Sequence, residues 1–168
     1  MNERDGAARI EVLAAEQRFP AFHRVLIATD GTEAAPAVIA SGVRVAQSLR
    51  IPVSVVHSMR AWHGGPFIRS VMHAADVIAD ERLLARAESC LDQARSAALA
   101  AGVRFETHLS FDTNAPRAIL AMARETDCDL IVLGADAAHG WRQGNVARRV
   151  VDNSPVPVLV IPPHAPVS

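Results

Sequence analysis

Short runs of β-branched and aliphatic residues alternate with longer stretches of helical periodicity along most of the chain. This alternation constrains the fold more than any other feature. The run at 23–29 closes on Asp30-Gly31-Thr32 and is followed by a helical stretch over 33–50, with Val38, Ile39, Val45, Ala46 and Leu49 at helical spacing. A second strand at 51–57 leads into a Gly/Pro-containing loop, Trp62-His63-Gly64-Gly65-Pro66. The longest helix is expected from about 70 to 101, stopping at Gly102, with Leu84, Ala87, Leu91, Ala94 and Ala98 as its buried stripe. Then come a strand at 103–109, a helix at 114–124 with Pro116 in its first turn, and a continuous apolar strand at 129–133 ending on Gly134. A short helix at 145–152 and a last strand at 156–161 complete the series. Strands that alternate with helices imply right-handed crossovers and a parallel α/β sheet covered on both faces. Runs such as Leu130-Ile131-Val132-Leu133 suit strands buried on both sides.

Such a sheet binds ligands at the carboxyl ends of its strands, where the winding reverses. The two strand ends marked by their residues are Ala28-Thr29-Asp30-Gly31 and Gly134-Ala135-Asp136. If these strands are neighbours, their ends form a crevice, and a helix opening near Asn145 aims free backbone N–H groups into it. Asp30 has two compatible readings: a ligand-binding carboxylate, or a residue that caps the following helix or shapes its turn with Gly31.

Composition removes other classes. The 168 residues suit one domain, with residues 1–20 as an N-terminal extension and 21–168 as the domain proper. The net charge of −1 gives no footprint for nucleic acid, and no apolar run is long enough for a membrane span. The start of the chain lacks the order of a signal peptide, so a cytoplasmic protein is expected. Every cation counted in the Lys+Arg total is Arg, which excludes lysine chemistry, and Tyr is absent. Cys90 and Cys128 form no CxxC and read as reduced, buried thiols. His57, His63 and His73 match no metal spacing, and no metal is expected. His139 reads as a solvated loop residue. Among Arg142, Arg148 and Arg149, one is a candidate for meeting an anion. No catalytic residue emerges, since GxSxG, HExxH and a recognisable Cys-His pairing are all missing.

Three segments together resemble the universal stress protein family. Val25-Leu26-Ile27-Ala28-Thr29-Asp30-Gly31-Thr32 is similar to the family's first strand and its Asp, and Asp129-Leu130-Ile131-Val132-Leu133-Gly134 to its fourth strand. The stretches Gly144-Asn145-Val146-Ala147-Arg148-Arg149-Val150-Val151 and Pro155-Val156-Pro157-Val158-Leu159-Val160-Ile161-Pro162 are similar to its closing helix and strand. The resemblance implies a five-stranded parallel sheet in order 3-2-1-4-5 with helices on both faces. It implies a stress-response binding module with ATP or AMP as candidate ligand; the alternative is a genuine ATP- or AMP-binding stress protein with slow ATP hydrolysis as a by-product of binding. Its nucleotide site would draw on Ala28, Thr29, Asp30, Ser58, Gly134, Gly140, Gly144, Asn145 and Val146. It also implies a homodimer through the last strand, with Val156, Val158, Leu159 and Val160 at the interface, and protein partners that the sequence does not identify.

ATP-binding members carry G-x2-G-x9-G-[ST] after the fourth strand. Here the second Gly is Ala137, the final pair is Gly144-Asn145, and the nine residues between Gly134 and Gly144 are three fewer than the motif has. A shorter cradle offers fewer backbone donors, so the expected crevice is degenerate and its affinity for ATP low.

Overall fold

The computed structural model describes residues 22–58, 74–112, 114–135 and 145–162, and for 74–80 the backbone alone. The extension 1–20, the loop after the second strand and the loop 136–144 lie outside the described residues. The elements are β1 (Val25–Thr29), α1 (Ala35–Leu49), β2 (Val53–Ser58), α2 (Ala74–Ala100), β3 (Phe105–Ser110), α3 (Ala115–Glu125), β4 (Leu130–Gly134), α4 (Val146–Asn153) and β5 (Val158–Ile161). All four strand pairings are parallel, and the order is β3-β2-β1-β4-β5.

Strand parity sorts the core into two layers. Val25, Ile27, Val53, Val55, Leu130 and Val132 face the cluster closed by Val38, Ile39, Val43 and Ala46 of α1 and by Cys90, Ala94 and Ala98 of α2. Leu26, Ala28, Ile131 and Leu133 face the opposite cluster, closed by Ile119, Leu120 and Ala123 of α3 and by Ala147 and Val150 of α4. A strand with one helix layer on each side has no polar face to give, which is why β1 is buried along its whole length.

The structure corrects the expected edges. The first strand begins at Val25 because the backbone N–H groups of His23 and Arg24 donate to the Asp129 carboxylate, at 2.9 and 3.1 Å, rather than to a ladder. The last strand begins at Val158. Pro157 has no N–H to donate, although its carbonyl accepts from Ile131. Val156 therefore precedes the strand and packs against the α3–α4 layer. The buried stripe of α2 consists of Ala87, Cys90, Ala94 and Ala98, whereas Leu84 is 38% exposed. Both cysteines are buried and unpaired as disulfides.

Candidate functional site

The chain leaves β1 through α1 and α2 toward β2 and β3, then returns through α3 to the other side of β1, where β4 and β5 follow. The winding therefore reverses between β1 and β4, whose ladder pairs Val25 with Leu130 through Ala28 with Leu133. At the carboxyl ends of these two strands lies a cavity of about 390 Å³.

Its floor is the end of β1, with Ala28 and Thr29, and the end of β4, with Leu133, Gly134 and Ala135. Ser58 at the end of β2 joins one side, and Asn145 with Val146 at the start of α4 the other. Asp30, Thr32 and Glu33 stand at the entry to α1, and Ile119 of α3 supplies an apolar wall. Seven of the nine residues expected at a nucleotide site therefore border one cavity. Gly140 and Gly144 lie outside the described residues.

Each of these residues has a local physical role. Asp30 is exposed, and its Oδ1 accepts the Thr32 N–H at 3.0 Å in an Asx turn. It does not cap α1, whose N-cap is Ala34 with no side-chain cap. Gly31 makes the turn with φ +69°, a conformation that a side chain resists. Thr29 Oγ1 accepts the Gly31 N–H at 3.3 Å and lies 3.4 Å from Cys90 Sγ, so its hydroxyl is engaged by the turn and by α2. A Cβ on Gly134 would stand 3.0 Å from Val38 Cγ2, so α1 packs closely on β4 at the cavity floor.

Asn145 is buried and caps α4, accepting the Ala147 N–H at 2.8 Å. Helix geometry leaves the N–H groups of Val146 and Arg148 without intrahelical carbonyls, so the helix end retains anion-directed donors. The side-chain charges tell against a long phosphate chain. Among the described residues lining the cavity, the ionisable groups are Asp30 and Glu33, both acidic. Arg148 pairs along its helix with Asp152 at 3.5 Å, and Arg149 borders a separate groove with Arg117 and Arg124. Neither arginine lines the cavity, and Arg142 and His139 lie outside the described residues.

Sequence reasoning weighed His57 only as a metal ligand. No group of three or more metal-ligating side chains exists among the described residues, while His63 and His73 lie outside them. His57 instead is the penultimate residue of β2, directly beside Thr29, buried, with Nδ1 lacking a partner. Its signal in the sequence was parity, since position 57 shares the buried face of Val53 and Val55.

Among the described residues, no helix is long and apolar enough to cross a membrane. The model of the universal stress protein family matches residues 21–162. A universal stress protein of Methanocaldococcus jannaschii is 24% identical over 143 residues, covering 83% of this chain and 82% of its own. The universal stress protein of Archaeoglobus fulgidus, solved in complex with dAMP, is 26% identical with a TM-score of 0.59, covering 84% of this chain and 98% of its own. UspA of Lactobacillus plantarum is 25% identical with a TM-score of 0.65, covering 85% and 99%. With the family model matched over nearly the whole domain and the strand order in agreement, the chain belongs to the universal stress protein family.

Proposed function

We propose that the protein is a stress-response binding module whose crevice takes an adenine nucleotide weakly, as a signal rather than as a substrate. Its output passes through a homodimer formed at β5 and through protein partners. One observation carries the reading: the Asp30 turn, the Gly134 strand end and the start of α4 border the same cavity at the switch point of the sheet. The dAMP complex of the Archaeoglobus fulgidus relative supports an adenine ligand.

The chemistry favours a short phosphate over a long one. The start of α4 offers a partial positive charge of about half a unit and two free N–H groups, which suits one phosphate. A triphosphate needs more donors, and the described lining offers no cation to supply them. Each missing charge-assisted hydrogen bond is worth about 1.5–3 kcal/mol, so losing two lowers affinity by on the order of a hundredfold or more. Asp30 carries a carboxylate acceptor at the mouth, suited to nucleoside hydroxyls.

Calorimetric titration of AMP and ATP into the wild type and Asp30→Ala tests the reading. The expected result is weak binding of AMP, no stronger binding of ATP, and a loss of about tenfold for Asp30→Ala, the size of one hydrogen bond to a charged group. Tight ATP binding would contradict the degenerate cradle. Binding indifferent to Asp30→Ala would remove the proposed site.

A further inference from the structure

Buried polar atoms in native structures almost always have hydrogen-bond partners, so an orphan calls for an explanation. His57 is 4% exposed and its Nδ1 has no partner. The ring lies under the turn that carries Asp30: a Cβ built on Gly31 would meet His57 Cε1 at 3.0 Å, with Arg86 Cγ next at 3.6 Å. On the sheet, His57 is flanked by Thr29 of β1 and Leu109 of β3. Among the described residues, the charged and titratable groups around this turn are Asp30 and Glu33 on the chain entering α1 and Arg86 and Cys90 from α2. Asp30 is the carboxylate whose charge acts on the ring, and its Oδ1 accepts the Thr32 N–H.

A neutral imidazole tolerates this setting with one nitrogen unpartnered. An imidazolium does not, because both of its N–H groups are then donors and the charge is removed from water. We propose that His57 is a positioning residue for Asp30: the neutral ring leaves the Asp30 carboxylate on the Thr32 N–H at the mouth of the crevice, and the protonated ring draws that carboxylate inward, so that acidification weakens nucleoside binding. This inference rests on the crevice reading given above. Burial disfavours the imidazolium and the Asp30 charge favours it, with burial the larger effect, so the ring titrates below the ordinary histidine value. The module is therefore in its binding form at neutral pH and leaves it in acid.

Adenosine is the suitable probe, because a phosphate titrates near pH 6 and would confuse the profile. Between about pH 7.5 and about pH 4.5, the lower limit set well below the ordinary imidazole value of about 6.5 because the ring titrates below it, the wild-type dissociation constant is expected to rise about tenfold. In His57→Gln the ratio of the two constants is expected near one. A ligand-free measurement accompanies it: by NMR, the Thr32 amide shift follows the His57 ring titration in the wild type. In Asp30→Asn the Thr32 amide no longer follows, and the ring titrates at lower pH. A wild-type ratio near one, a drop that persists in His57→Gln, or a Thr32 amide that ignores the ring would each overturn the switch. Failure of adenosine to bind at either pH would overturn the crevice reading instead, and the Thr32 amide would then decide the switch by itself.

Discussion

At the residue scale, Asp129 shows how one side chain positions the site from the far end of the sheet. Its carboxylate accepts from the backbone N–H groups of His23 and Arg24 and contacts the His23 ring at 3.0 Å, tying the start of β1 to the start of β4. Partial burial works against its charge, but these hydrogen bonds outweigh it and hold the carboxyl below the usual range. A depressed carboxylate contributes stability above its unfolded value, about 3.9, and loses it as pH falls through the folded value. Asp129→Asn is therefore expected to cost about 1–2 kcal/mol near neutrality. Urea unfolding across pH should show that difference constant down to about pH 5 and shrinking below about pH 4. A difference independent of pH in acid would contradict the assignment.

Gly42 makes the second residue-scale case. A Cβ there would stand 2.6 Å from two atoms of Ile27, in the centre of the core. Overpacking costs about 1–3 kcal/mol, while removing a helical glycine returns about 1 kcal/mol. Gly42→Ala is expected to lower unfolding stability by up to about 2 kcal/mol, measured as a lower urea midpoint at unchanged m-value. A rise in the midpoint would show that α1 can move off β1 freely.

At the scale of elements, the sequence made the alternation legible and left the ends blurred, for physical reasons. All nine described elements were expected with their types, because β1, β4 and β5 are short apolar runs, β2 is rich in Val, β3 alternates, and the helices are periodic. The order of the strands came from the family resemblance, since alternation alone permits several windings. Leu84 was misassigned because α2 spans about 40 Å while a six-residue strand spans about 20 Å, so a periodic stripe continues past the sheet that buries it. Asp30, Gly134 and Asn145 were legible because turns and caps leave local signatures. The environment of His57 was not, since an orphaned ring nitrogen depends on three elements meeting.

β5 carries the element-scale prediction. It pairs with β4 on one side, and among the described residues no strand pairs with its other edge. Val158 and Val160 lean on the α3–α4 layer, Ile161 on the opposite layer, and Leu159 is 38% exposed. An apolar edge strand is a pairing surface, and Pro155 and Pro157 limit how far a ladder can extend from it. Light scattering is expected to give twice the chain mass of 17.9 kDa for the wild type and the monomer mass for Leu159→Glu. A monomeric wild type at micromolar concentration would contradict the dimer.

At the scale of the whole molecule, the parallel sheet collects three weak features into one place. A turn carboxylate, a strand-end glycine and a short helix start are each common and uninformative alone. The reversal between β1 and β4 brings them around a single cavity, while the Asp129 clamp fixes the opposite end of the same two strands. The most direct test is amide chemical-shift mapping of AMP on the isotope-labelled protein. The account predicts concentration-dependent shifts at Asp30, Thr32, Gly134, Ala135, Asn145 and Val146, with none at Arg24, Arg104 or Glu106 at the other end of the sheet. Shifts confined to that other end, or an unchanged spectrum at millimolar AMP, would contradict it.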